Sequence, residues 1–124
     1  MFVNKKWIIK NYIEFNKKYF DNSLPLVRFY INYSKDTYGF AYFLYDYENN
    51  TIKPESITMS NYFNESEYEN KNTLLHEMIH IYEYITYPKR FMWPKVKKYN
   101  AHGMFFEMKA ALINKDGWHI VKSI

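Results

Sequence analysis

The stretch that decides the fold is TLLHEMIHIY, residues Thr73 to Tyr82, in which two histidines lie four residues apart. Side chains at this spacing share one helix face, with Cβ atoms about 5–6 Å apart, so both imidazoles can converge on one ion. Neutral imidazole suits Zn²⁺, and the carboxylate of Glu77 can take a proton from a water held by the metal. The pattern therefore predicts a hydrolytic zinc centre in which His76 and His80 bind the metal and Glu77 is the general base.

The residues around this motif predict a helix that faces the core. Apolar residues recur at helical spacing beside the histidine pair: Leu74, Leu75, Met78, Ile79, Tyr82 and Ile85. Ser66 with Glu69 matches a capping box, which places the helix start at about Ser66 and its end at about Ile85. The alternative is a surface helix with two hydrogen-bonded histidines, for which this apolar neighbourhood is not expected.

Composition bounds the class of protein. A chain of 124 residues with 48% apolar content predicts a single domain, residues 1–124, with one modest core. The absence of cysteine excludes disulfides and thiolate metal sites, and it fits a reducing compartment. The first residues, Met1 to Trp7, lack the apolar segment of a signal peptide, and no run of about 18 apolar residues exists, so we expect a cytoplasmic protein without membrane contact.

The rest of the chain predicts an α+β fold with a small antiparallel three-stranded sheet. Apolar residues at helical spacing predict a first helix from about Asn4 to Phe20. Three segments rich in β-branched and aromatic residues predict strands: Leu26–Tyr33, Tyr38–Tyr45 and Ser56–Ser60. A last helix is predicted from Gly103 to Ile113, after the metal helix, with five residues facing inward: Met104, Phe105, Met108, Ala111 and Leu112.

A catalytic zinc site usually has three protein ligands and one open position, so a third ligand is required. Glu83 shares the histidine face but lies roughly 10 Å along the helix from His76, which fits a supporting or solvated residue better. Glu107 on the last helix is a second candidate, and His119 reads as an ordinary surface histidine. His102 is best placed, because it opens the last helix, where packing against the metal helix would bring it to the ion.

Together these residues resemble the SprT-like metallopeptidase domain, which carries H-E-x-x-H followed by H-G-x-x-F. The matching segments are LLHEMIH at Leu74–His80 and HGMFF at His102–Phe106, with further similarity around Phe15–Phe20, Gly39 and Ile57–Ser60. The resemblance implies a zincin-like fold, Zn²⁺ bound by His76, His80 and His102, and Glu77 as the catalytic base. It also implies hydrolysis of proteins or peptides, since the family member Spartan digests proteins crosslinked to DNA.

Two other interpretations stay open at this stage. A binding module with a purely structural metal would close the site with a fourth ligand, such as His119 or Glu107, and would have no turnover. A different small H-E-x-x-H family, such as the peptidases that cleave repressors, would not need His102 as a ligand.

The segment 89–98 combines cations and aromatic residues, a composition typical of single-strand nucleic-acid contacts. Its cations are Lys89, Arg90, Lys95, Lys97 and Lys98, with Phe91 and Trp93 among them. With a net charge of +4, we expect weak contact with single-stranded DNA through this loop. Such a loop is also an ordinary solvated connection in many proteins.

Overall fold

The computed structural model describes residues 1–49, 51–87 and 103–121. The elements in these parts of the chain are α1 (Lys5–Tyr19), β1 (Arg28–Asn32), β2 (Gly39–Asp46), β3 (Thr51–Ser60), α2 (Glu67–Thr86) and α3 (Met104–Asn114). One helix, a three-stranded sheet and two further helices confirm the predicted α+β class. Within these ranges, no helix combines the length and the apolar character that crossing a bilayer requires.

α1 and α2 begin where the sequence provides capping side chains. Asn4 precedes α1, and its side chain accepts a hydrogen bond from the Trp7 amide at 2.8 Å. Ser66 precedes α2, and its hydroxyl accepts from the Glu69 amide at 3.1 Å. Both bonds satisfy amides that the helix itself leaves unpaired. The predicted bounds of the metal helix are therefore confirmed to within one residue at each end.

The sheet differs from the prediction in one of its two pairings. The strand order is β1-β3-β2, so β3 lies in the centre. β2 pairs with β3 in antiparallel orientation, as expected for a hairpin, but β1 runs parallel to β3. The prediction of a wholly antiparallel sheet is wrong because β3 returns between the first two strands, which therefore do not pair with each other.

β3 is also longer than predicted, since it starts at Thr51 rather than at Ser56. Pro54 was expected to mark a boundary, yet it lies inside the strand, opposite Phe43. The pairing shifts register between Tyr42 and Phe43, and proline is tolerated at such irregularities because the ladder is already interrupted there.

The helices pack on one face of the sheet and enclose the core. Phe29, Ile57 and Ala41 occupy one row across the three strands. From α1, the Tyr12 ring meets the Phe29 ring edge-on at 5.1 Å between centroids. α2 contributes four residues with no exposed surface, Leu74, Leu75, Met78 and Ile79, as predicted, whereas Tyr82 is half-buried and Ile85, also predicted to face inward, is 39% exposed.

The inward face predicted for α3 is wrong. The helix buries Phe106, Ala110 and Ile113, whereas Met104 and Leu112 are 64% and 59% exposed. Met108 and Ala111 are exposed as well, and Phe105 is half-buried. α3 carries apolar residues on more than one face, so periodicity alone could not choose between them. The face that packs is the one that brings Phe106 to the α2 histidines.

Candidate metal centre

α2 brings three potential metal ligands together. One ligand atom from each of His76, Glu77 and His80 lies within 4.8 Å of the other two. His76 and Glu77 are 3% and 4% exposed, and the His80 side chain is 12% exposed. The histidines meet because they are one helical turn apart, as the sequence predicted. These three residues could hold a metal ion.

Each imidazole has a partner on the side away from the other ring. His76 Nδ1 lies 2.8 Å from the carbonyl oxygen of Val121, which can only accept, so Nδ1 carries the hydrogen. His80 Nδ1 lies 3.7 Å from Glu83 Oε1, an acceptor on the next turn of α2. The Val121 contact assigns the lone pair of the His76 ring to Nε2, which lies 3.3 Å from His80 Nε2.

This separation fits a tetrahedral zinc ion. Two nitrogens that each lie about 2.0–2.1 Å from Zn²⁺ at a tetrahedral angle are about 3.3–3.4 Å from one another. The 3.3 Å between the Nε2 atoms of His76 and His80 equals this spacing. At this distance His76 Nε2 can accept a hydrogen bond from His80 Nε2 or share a cation with it, so the pair could hold a metal ion.

Glu77 is held between α2 and the edge strand β2. The Ala41 backbone amide donates a hydrogen bond to its carboxylate, and its Oε2 lies 4.0 Å from His76 Nε2. Burial raises the pKa of Glu77 from 4.5 to about 7, with His80 and the Ala41 amide opposing that rise. A carboxyl with this pKa can both accept and release a proton near neutral pH.

β2 approaches Glu77 so closely that a side chain at position 39 would press on its neighbours. A Cβ atom there would lie 2.9 Å from Thr73 Cγ2 and 3.3 Å from both Glu77 Cγ and Glu77 Oε2. Contacts between non-bonded carbons favour about 3.5–4.0 Å, so a methyl group would displace one of these neighbours. Gly39 therefore sets the distance between the strand and the carboxylate.

The comparison with protein families agrees with this geometry. The family model described as the SprT-like family matches residues 8–122, nearly the whole chain. The chain belongs to the SprT-like family. The resemblance inferred from the sequence is thereby confirmed, and SprT-like domains are typically metalloprotease-like. A search of curated proteins gave no match.

In this SprT-like chain, Phe106 from α3 covers both imidazoles. Its ring centroid lies 4.8 Å from that of His76 and 5.2 Å from that of His80, and the residue is 1% exposed. Phe106 is the last residue of the H-G-x-x-F motif, which gives that position a physical role in packing. In the sequence, only this motif indicated a contact between Phe106 and the histidines, because Phe106 was not among the residues predicted to face inward on α3.

The segment that supplies the Val121 carbonyl is tied down by side-chain amides. Asn114 donates to the Ile120 carbonyl at 3.0 Å and accepts from the Ile120 amide at 2.7 Å. Asn72 accepts from the His119 amide at 2.8 Å. Sequence reasoning missed this support of His76, because a backbone carbonyl carries no residue-specific signal.

The other ligand candidates take different places. His119 lies near Glu69, with its Nε2 3.1 Å from Glu69 Oε1, and is not part of the histidine cluster. Glu107 is on an exposed side of α3. Glu83 lies next to His80, which fits the supporting position expected for it. His102 lies outside the described residues, as does the basic segment 89–98, so both assignments stay predictions.

Proposed function

We propose that this chain is a zinc-dependent peptidase that hydrolyses peptide bonds in proteins or peptides. The observation that carries the proposal is the pair of Nε2 atoms 3.3 Å apart, beside the buried Glu77 carboxylate. His76 and His80 would hold the zinc ion, and His102 is proposed as the third ligand from the family motif. A bound zinc ion would supply Lewis acidity, which lowers the pKa of a water to about 7 and polarises the peptide carbonyl.

The protein's own groups would handle the protons. Glu77 would accept a proton from the attacking water and later donate it to the leaving amine, the double role of a general acid–base group. The Ala41 amide keeps the carboxylate beside His76 during both transfers. Phe106 shields the imidazole faces from water, which strengthens the electrostatic interactions within the site.

β2 is the strand along which a peptide would bind. It is at the edge of the sheet, and its residues Gly39 and Ala41 flank the Glu77 carboxylate. An extended peptide that adds to this edge would place its backbone next to the site through main-chain hydrogen bonds. Proteins associated with DNA are the substrates that the family resemblance suggests.

Substitution of Glu77 by Gln tests this proposal. The amide keeps the shape of the side chain but cannot take a proton, so zinc binding should persist while cleavage of an unfolded protein such as casein is lost. Zinc content by atomic emission and cleavage by gel assay are measured on the same sample. A chelator should stop the wild type, and added zinc should restore it. A Glu77→Gln protein with wild-type activity would refute the assignment.

A further inference from the structure

Glu83 is a buried carboxyl group to which no described residue donates a hydrogen bond. The residue is 1% exposed, and neither carboxylate oxygen has a hydrogen-bond partner in the described parts of the chain. Buried polar groups in folded proteins nearly always have such partners, and a carboxyl group without one carries a cost in folding free energy. The groups next to Glu83 could therefore explain why a carboxyl group is buried at this position without a hydrogen bond from a described residue.

The group next to Glu83 is the imidazole of His80. The two residues are three positions apart on α2, and Glu83 Oε1 lies 3.7 Å from His80 Nδ1. His80 presents its other nitrogen, Nε2, to His76. The carboxyl group of Glu83 thus stands behind the ring, on the side opposite the proposed zinc position.

The two histidines have acceptors of different kinds in equivalent places. His76 Nδ1 meets the Val121 carbonyl at 2.8 Å, and His80 Nδ1 faces Glu83. Histidines that bind metals almost always direct the second ring nitrogen to a carbonyl, carboxylate or water, which fixes the tautomer and the orientation of the ring. Glu83 has the chemistry and the position for this task.

We infer that Glu83 is a positioning residue for His80: it accepts a hydrogen bond from Nδ1 and so holds Nε2 toward the zinc ion. This inference rests on the proposed function. The 3.7 Å separation exceeds the ordinary hydrogen-bond length of about 2.7–3.2 Å, so the bond forms through a small rotation of the Glu83 side chain. The carboxylate also places a negative charge near the cation, on a side that solvent does not reach.

The test compares variants that keep or remove the acceptor. Glu83→Leu removes it, and zinc affinity should fall by about 10–100-fold in a competition titration with a chelator. Glu83→Gln keeps an amide oxygen in the same place and should recover most of this loss. Glu69→Leu and Glu69→Gln are the matched controls, because Glu69 is on the same helix but pairs with His119 at the surface. Both controls should bind zinc as the wild type does.

Replacement of Zn²⁺ by Co²⁺ provides a second measurement, which responds to the geometry of the ligands rather than to the stability of the fold. The visible absorption of bound Co²⁺ reports ligand geometry, so Glu83→Leu should alter this spectrum and Glu83→Gln should restore it. If Glu83→Leu fails to fold, Glu83→Asp replaces it. Asp keeps the charge but withdraws it by one methylene, and we expect zinc affinity to fall by about 10-fold.

The outcomes separate this inference from the proposed function. A wild-type protein that binds no zinc would refute both. A wild type that binds zinc and cleaves protein, together with a Glu83→Leu or Glu83→Asp variant of unchanged zinc affinity, would overturn the role of Glu83 alone. Equal losses in Glu83→Gln and Glu83→Leu, without rescue by the amide, would also overturn it.

Discussion

The two halves of α2, taken as residues 67–75 and 76–86, differ in how their buried polar side chains are hydrogen-bonded. In the first half, Asn70 donates to the Met1 carbonyl at 3.0 Å, and Asn72 donates to the Tyr68 carbonyl at 2.9 Å and accepts from the His119 amide. In the second half, Glu83 has no hydrogen bond to any described residue, and Glu77 is a buried carboxyl with a raised pKa.

This difference indicates that the first half of α2 serves mainly the stability of the fold and the second half mainly the metal site. The asparagines of the first half hold distant segments in place, and each forms the bonds that its burial requires. The second half places two buried carboxyl groups beside the histidines: Glu77, whose pKa is raised, and Glu83, which has no hydrogen bond within the described residues. We therefore expect substitutions in the first half to change mainly stability, and substitutions in the second half to change mainly metal binding and catalysis.

The sharpest separation is expected from His76→Ala. Loss of one ligand removes the metal and several kcal/mol of transition-state stabilisation with it, so kcat/KM should fall on the order of 10³-fold. The far-ultraviolet circular dichroism spectrum should remain that of the wild type, because the bonds of Asn70 and Asn72 are untouched. Zinc content and kcat/KM are the measurements, and a variant that retains both would contradict the assigned ligand.

Gly39→Ala tests the contact between β2 and the middle of α2, where the two halves of the helix join. Its methyl group would press on Thr73 of the first half and Glu77 of the second half. We expect a stability loss of about 1–3 kcal/mol from overpacking, measured by urea unfolding. Misplacement of the carboxylate should also lower kcat/KM by up to about 10²-fold.

The double variant Gly39→Ala with Thr73→Ser is the matched control. Serine lacks the Cγ2 methyl that the new Cβ would meet at 2.9 Å, so stability should recover. The contacts with Glu77 remain, so activity should stay low. Recovery of both properties together would show that stability and catalysis are not separable at this position.

In the metal-free protein, the free energy of unfolding should depend on pH through Glu77, in the second half of α2. Below pH 4.5 the Glu77 carboxyl is protonated in both the folded and the unfolded chain. As the pH rises from 4.5 to about 7, the folded chain keeps a proton that the unfolded chain releases, so the free energy of unfolding falls. The total loss attributable to this group is about 3 kcal/mol.

Glu77→Gln isolates this contribution, because glutamine does not titrate. Denaturant unfolding of both proteins with a chelator present, at several values between pH 4.5 and 8, should show curves that diverge as the pH rises, with the wild type the less stable. Parallel curves would mean that burial of Glu77 has no cost in the folded protein.

Asn72→Ala should have a small effect, mainly on stability, because Asn114 still holds Ile120 next to the Val121 carbonyl. The change removes two hydrogen bonds and leaves the His119 amide without its part-buried acceptor, at a cost of about 1–3 kcal/mol. Thermal unfolding measures the loss, and zinc affinity at a temperature where the variant is folded should stay within about twofold of the wild type. A larger fall in affinity would link the first half of α2 to the metal site.

The sequence predicted the part of the site that local periodicity controls. A spacing of four residues brings His76 and His80 to one face, and Ser66 marks the helix start because few side chains can satisfy a free helix amide. The family motif also contained Phe106. These features depend on residues close together in the chain, or on side chains with an unmistakable chemical type.

The features that sequence reasoning missed depend on long-range geometry. Alternation of apolar residues tells which side of a strand is buried, but it does not tell which strand will be its neighbour, so the parallel pairing of β1 with β3 was not foreseen. Val121 acts through its carbonyl, which every residue possesses. The burial of Glu83 likewise could not be read from a residue type that is usually solvated.

The contact between His76 and Val121 also sets an order of events during synthesis of the chain. The two residues are 45 positions apart, so the α2 helix can form before the carbonyl that orients its first histidine has been made. A nascent chain would then carry both imidazoles on a helix without a fixed zinc geometry. A chain stopped after residue 117 and the full 124-residue chain should separate these stages, with comparable helix content but tight zinc binding in the full chain alone.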